Sequence, residues 1–195
     1  GTILESFPDE VEAAVTICKY MVTGPLYNGS VRFSDNKIMA DSLFFRTMGI
    51  EVLTGDAVRE LQQKDVVFLS DRLARKIFGN ENPIGKVISY DKQIQLTVKG
   101  TYAAVPENST MNPEAVISLA TAWSRGWDDN NWKGGDSYFQ YIRFRPGVKV
   151  DIEKFSARLD AMVQTHVPRD MMQGVGCTLT VKSIYDVYQD SDITK

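Results

Sequence analysis

The stretch "DVVFLSDRLARKIFGNENPIGKVI", Asp65 to Ile88, carries three elements in a row. "DVVFLS" is a short run of β-branched, apolar and aromatic residues and reads as a buried strand. Ser70 is a good N-cap and Asp71 suits a first helical turn, while Leu73, Ala74, Ile77 and Phe78 share one apolar face. Gly79 stands where a left-handed C-cap belongs, and Pro83 where the helix cannot continue. "KVISYD" then opens a second strand. The same stretch resembles a phosphate loop, but fails as one. Five residues, Asn80 to Ile84, separate Gly79 from Gly85, where the loop needs four, and Val87 follows Lys86 where a hydroxyl residue is required. Pro83 also removes an N–H that a phosphate cradle would use.

Upstream, Pro8 with Asp9, Glu10 and Glu12 predicts a short acidic first helix, and "AAVTICKYMV" a buried strand. Asn28-Gly29 is a turn signal, and "SVRFS" and "KIMAD" predict a hairpin about Asp35-Asn36. Asp41 is the expected N-cap of "SLFFRTM", which Gly49 ends; "IEVLTG" and "DAVRELQQ" follow as strand and helix. Downstream, "IQLTVKGTYAAV" and "EAVISLATA" are strands, with a turn near Asp91-Lys92. Residues 124–137 form a polar loop, and "SYFQYIRFR" alternates as a strand. A helix capped by Asp151 places Ile152, Phe155, Leu159, Met162 and Val163 on one face, and "CTLTVKSI" closes the chain as a strand. The final strand–helix–strand is a βαβ or split βαβ unit. The class is α+β and two-lobed. A discontinuous porter-like lobe is expected over residues 1–63 and 123–195, with an inserted β-rich lobe over 64–122.

The chain of 195 residues can bury a substantial core. A net charge of −3 argues against a nucleic-acid surface, since no basic excess is available to displace counterions. No stretch approaches the run of about 18 apolar residues that reads as a membrane span. Gly1 looks like the scar of a cleaved tag, so the chain reads as an excised piece whose signal or anchor would have been cut away. Cys18 and Cys177 are the only cysteines; with one histidine they cannot supply the usual four zinc ligands, and both a disulfide and two buried thiols remain open.

No catalytic constellation emerges. His166 ends the long helix, where a cation suits the last carbonyls, and no serine or cysteine has a local signature that makes it a partner. A calcium loop starting at Asp129 would put Lys133 and Gln140 where oxygen ligands belong, so it fails as an EF-hand. Asn28 and Asn108 head glycosylation sequons, of consequence only in a eukaryotic secretory protein. Neither a catalytic residue, a metal nor a cofactor is expected. The most unusual patch is Trp123, Trp127 and Trp132, with Tyr138, Phe139 and Tyr141 close behind. Rings in a polar loop can meet a partner protein or cargo, or cap the core beneath. Trp127, flanked by Arg125, Gly126, Asp128 and Asp129, is expected to be the most exposed, and Trp132 to pack inward.

"ADSLFFRTMGIEVLTGDA", then the stretch from Asp65 to Ile88, then "VKGTYAAVPENSTMNPEAVIS", in this order and spacing, resembles the MacB-type periplasmic core domain of FtsX-like ABC transporter permeases, most of all those of Bacteroidetes. These pieces span about residues 40–118, and the later strand, helix and strand follow in the family's order. Thr110 departs from the pattern, where His would follow "PENS". The resemblance implies a domain between two membrane helices absent from this chain, held in the periplasm at the inner membrane. It further implies an ABC ATPase, fused or separate, as the site of ATP hydrolysis, with a permease dimer and a periplasmic protein as further partners. The domain would transmit ATP-driven motion and perform no chemistry. Its two ends, near Glu5 and Asp190, would leave on one side, with the strands around Cys18 and Cys177 in one lobe. The alternative is a periplasmic sugar- or peptide-binding module that uses the aromatic loop 123–141.

Overall fold

The structure is a computed structural model that describes residues 2–109, 111–127, 138–167 and 181–187. In chain order the elements are α1 (Thr2–Ser6), β1 (Val11–Cys18), β2 (Leu26–Asn28), β3 (Val31–Phe33), β4 (Lys37–Ala40), α2 (Phe44–Met48), β5 (Val52–Thr54), α3 (Ala57–Glu60) and β6 (Val66–Ser70). They continue as α4 (Asp71–Phe78), β7 (Val87–Tyr90), β8 (Ile94–Tyr102), β9 (Ala115–Ser118), α5 (Ala120–Ser124), β10 (Tyr138–Phe144), α6 (Ile152–His166) and α7 (Ile184–Val187). The class is α+β, built on one mixed sheet in the order β10-β1-β4-β9-β6-β8-β7-β2-β3, with β5 pairing to β8. β4/β9 and β6/β8 are parallel, and β6/β9 and β7/β8 are antiparallel.

The uninterrupted apolar run of β6 follows from its place mid-sheet: all five residues are buried. Val67 and Leu69 face one core cluster, together with Met39, Ile117, Leu73 and Ala74. Val66 and Phe68 face the other, with Ile38, Val116, Phe44, Phe45 and Tyr102. Helix α4 thus covers one face, and α2 and α3 the other. Gly100 permits a close approach: a Cβ there would stand 2.0 Å from Phe68 Cε1 and 2.5 Å from the Thr54 carbonyl oxygen. The ladder between β6 and β8 shifts register beside it, between Val67 and Phe68.

Several local expectations give way to tertiary demands. The first helix lies before Pro8, not after it, because Val11, Ala13, Val15 and Ile17 are all buried on one side of a strand, and Glu12 is drawn into that strand. The hairpin forms at Asn28-Gly29, where β2 pairs with β3 and Gly29 has φ 58°, and not at Asp35-Asn36. β4 pairs instead with β1 and β9, where all four of its residues are buried. Asp41 does not cap α2 directly. Its carboxylate accepts from the N–H groups of Thr16 (2.8 Å) and Leu43 (2.9 Å), tying β1 to the turn before α2, and burial raises its pKa above the ordinary value. Gly49 ends α2 in the left-handed conformation, as the sequence indicates. Residues 120–122, expected as the end of a strand, belong to the helix α5 (Ala120–Ser124), since β9 ends with Ser118.

Contacts divide the chain into two compact units, one of residues 12–130 with 135–143, the other of 1–11, 131–134 and 144–195. In the smaller unit Phe155 of α6 meets Phe7 and Phe144, each at 4.9 Å between ring centroids. Phe155, Leu159 and Val163 recur at the helical spacing and are buried. Asp151 caps α6 by accepting from the Lys154 N–H at 3.1 Å. Arg158 lies over both Phe7 and Phe155 and pairs with Glu10 at 2.5 Å. Of the expected closing strand, residues 177–180 lie outside the described residues, and residues 181–183 lead without strand structure into α7.

Candidate partner-contact surface

The exposed tryptophan lies just beyond a short helix whose end is fixed by hydrogen bonds. α5 follows β9 directly, and Leu119 N–H donates to the Ala40 carbonyl at 2.9 Å, so the helix starts from the sheet. Thr121 and Ala122 are its buried residues. At its C-terminus Gly126, with φ 63°, donates its N–H to the Trp123 carbonyl, and Trp127 donates to the Ala122 carbonyl, each at 3.1 Å. This is a Schellman motif with the glycine at the left-handed position and Trp127 just beyond it. The two described tryptophans divide the roles. Trp123 packs, half-buried, against the core cluster that holds Val67 and Leu69, while Trp127 is 41% exposed. Trp132 lies outside the described residues, as do the rest of the polar loop from 128 to 137 and the calcium-like run within it.

The aromatic residues of β10 belong mainly to the core. Tyr138 packs on one cluster, and Phe139 and Tyr141 on the other. Tyr20, 63% exposed, lies 6.0 Å from the Phe139 ring, over which Lys19 Nζ stands at 5.4 Å.

A second arrangement joins the segments that carry the family resemblance. Glu114, 8% exposed at the start of β9, accepts from Ser70 Oγ and from Arg72 Nε (3.1 Å) and Nη2. Ser70 Oγ in turn accepts from Leu73 N–H at 2.9 Å, completing the N-cap of α4, and Ser70 N–H donates to the Glu114 carbonyl at 2.8 Å. Arg72 also reaches Glu107 of "VPENS" at 3.3 Å, and Glu114 raises the pKa of its guanidinium. Asp71 accepts from Ala104 N–H at 3.1 Å. These contacts tie the start of α4 to the segments just before β9 and just after β8. Sequence reading found the cap but not this junction; the acidic residue before "AVIS" was its one signal.

The phosphate-like stretch also makes contacts within the fold. Lys86 pairs with Glu81 and lies 5.0 Å from the centre of the Phe78 ring, and Gly85 N–H donates to the Val98 carbonyl at 2.8 Å. Gly79 ends α4 at φ 63°, ψ −124°, a conformation open to glycine but not the left-handed helical one expected. His166 ends α6, its Nδ1 within 2.9 Å of the Met162 carbonyl oxygen. Cys18 is a buried free thiol, and Cys177 lies outside the described residues. Among the described residues no cluster of three His, Cys, Asp or Glu side chains could hold a metal ion, and no helix is long and apolar enough to cross a membrane.

No curated protein sequence matches this chain. Solved structures do. A domain of a putative permease from Porphyromonas gingivalis superposes with a TM-score of 0.72 at 22% identity, over 96% of this chain and 83% of that one. The periplasmic region of MacB from Actinobacillus actinomycetemcomitans gives 0.54 at 17%, over 84% and 90%. The extracellular domain of the noncanonical ABC-type transporter YknZ from Gram-positive bacteria gives 0.59 at 14%, over 84% and 81%. At these identities the structures establish a shared fold. The sequence profile of the MacB-like periplasmic core domain matches residues 2–162, which includes the α4–β9 junction and the Trp127 turn. The chain therefore belongs to the MacB-like periplasmic core domain family, and is the periplasmic domain of a MacB/FtsX-like ABC transporter permease.

Proposed function

We propose that this domain is a non-catalytic transmission element. It passes motion driven by an ABC ATPase, on another domain or subunit, to cargo or to a periplasmic partner. Membrane helices flanking the domain in an inner-membrane permease, which assembles as a dimer, would carry that motion. The observation that carries this reading is the central sheet, apolar and buried on both faces at β6. Packing of that kind transmits strain with little compliance. Contact with a partner is assigned to Trp127, and with it to Trp123 and Trp132 of the same aromatic segment.

We further propose a two-lobed division, a discontinuous porter-like lobe of residues 1–63 with 123–195 and an inserted β-rich lobe of 64–122. Pairing of β4 with β9 joins strands from both segments in one sheet.

Spin labels at Val31 and Val58, both exposed, test the transmission reading in the intact permease. Their separation should stay constant through the ATP cycle, while the distance from either label to the membrane helices changes. A large change between the two labels would overturn the stiff-body reading. In calorimetry the isolated chain should show no saturable ATP binding; tight binding lost on Lys86→Ala would defeat the assignment of ATP to another polypeptide.

A further inference from the structure

The turn that displays Trp127 is fastened to the sheet by a residue 62 positions earlier in the chain. Asp65 immediately precedes β6 and adopts a left-handed backbone, φ 62°, that few residues other than glycine, asparagine and aspartate accept readily. All three of its polar functions are engaged. Its N–H donates to Thr121 Oγ1 in α5 at 2.8 Å, its carbonyl accepts from Thr97 N–H in β8 at 2.8 Å, and its carboxylate meets Arg125 at 2.6 Å. Arg125 in turn donates to the Thr121 carbonyl and to Ser124 Oγ, each at 3.3 Å. Both members of the ion pair are about two-thirds shielded, with side chains 28% and 31% exposed. Arg125 is the C-cap of α5, and Gly126 and Trp127 are the next two residues.

We propose that Asp65 and Arg125 are positioning residues for Trp127. They hold the Schellman turn against the sheet so that the exposed indole is presented in one orientation. An exposed, rotamer-poor aromatic on a rigid mount loses little freedom when a partner covers it, which is how a single ring comes to dominate a contact. The mount would matter to the permease through the contact assigned to Trp127 above, and in that sense rests on that reading. The mount itself is a property of this chain and can be tested in it.

Residue-resolved hydrogen exchange on the 195-residue chain is the test. The Gly126 and Trp127 amides report the turn, and those of Val67, Phe68 and Leu69 report the sheet. Asp65→Asn keeps a side chain that tolerates the left-handed backbone but removes the charge. It should lower protection at Gly126 and Trp127 by roughly three- to tenfold and leave the β6 amides unchanged. Arg125→Gln breaks the same pair from the other side and should give the same pattern, which also covers the case in which Asp65→Asn fails to fold. Equal loss in β6 and in the turn would make the pair a general stabiliser, and no loss at Trp127 would mean that the Schellman bonds suffice; either outcome overturns the proposal. Trp127→Ala in the intact permease scores the contact separately, so a mount that stands without a contact is distinguishable from a contact without a mount.

Discussion

Two regions of this domain use the same device for different ends. At the α4 junction an arginine, Arg72, reaches across the fold to a carboxylate, Glu114, that is almost wholly buried. At the α5 turn another arginine, Arg125, reaches to Asp65, but there the pair holds up a tryptophan that stays partly in solvent. In the first, the ion pair closes a network that includes a helix cap, and removing a member strands buried polar groups. In the second, the pair fixes the direction of one exposed ring. The difference teaches that an arginine–carboxylate contact is informative by what lies at its far end: core in one case, a displayed aromatic in the other.

That comparison predicts a graded set of stability effects. The sheet beneath both regions sets the upper limit. Gly100→Ala drives a Cβ into Phe68 and the Thr54 carbonyl, and should cost at least about 3 kcal/mol or prevent folding, read by denaturant unfolding. Glu114→Ala should cost about 2–4 kcal/mol, because it leaves Ser70 Oγ and the Arg72 guanidinium without their acceptor. A loss below about 0.5 kcal/mol would mean that water replaces the carboxylate and that the junction resembles an ordinary surface pair. Gly126→Ala should cost only about 1 kcal/mol. A Cβ there meets nothing within 4 Å, so the penalty is that of a non-glycine residue at positive φ.

How much of this was legible in the sequence differs between the regions. The strand–helix–strand from Asp65 to Ile88 was readable because its signals are local: an apolar run, a Ser cap, a facing set of leucine, alanine, isoleucine and phenylalanine, then Gly and Pro. The α6 helix was readable for the same reason, and its cap at Asp151 forms as the spacing implies. The Asp35-Asn36 hairpin was misread because turn propensity favours it while burial of Lys37–Ala40 between β1 and β9 decides the pairing. The first helix was misplaced because Pro8 can follow a helix as well as start one. Trp127 was read as exposed from its polar neighbours, and among the described residues it is the exposed one of the segment's tryptophans. Its mount was not read, since Asp65 and Arg125 lie 60 residues apart and no local pattern links them.

The smallest expected effect on stability is also the most direct test of the contact. Trp127→Ala removes a ring from a residue that is 41% exposed and joins neither core cluster, so the isolated domain should keep its melting behaviour, with a stability change within about 0.5 kcal/mol. The measurement is ATP-driven transport by the intact permease carrying that one substitution, beside its unfolding curve. Impaired transport with unchanged stability is the result expected of a displayed contact residue. Normal transport, or a domain that unfolds, would contradict it.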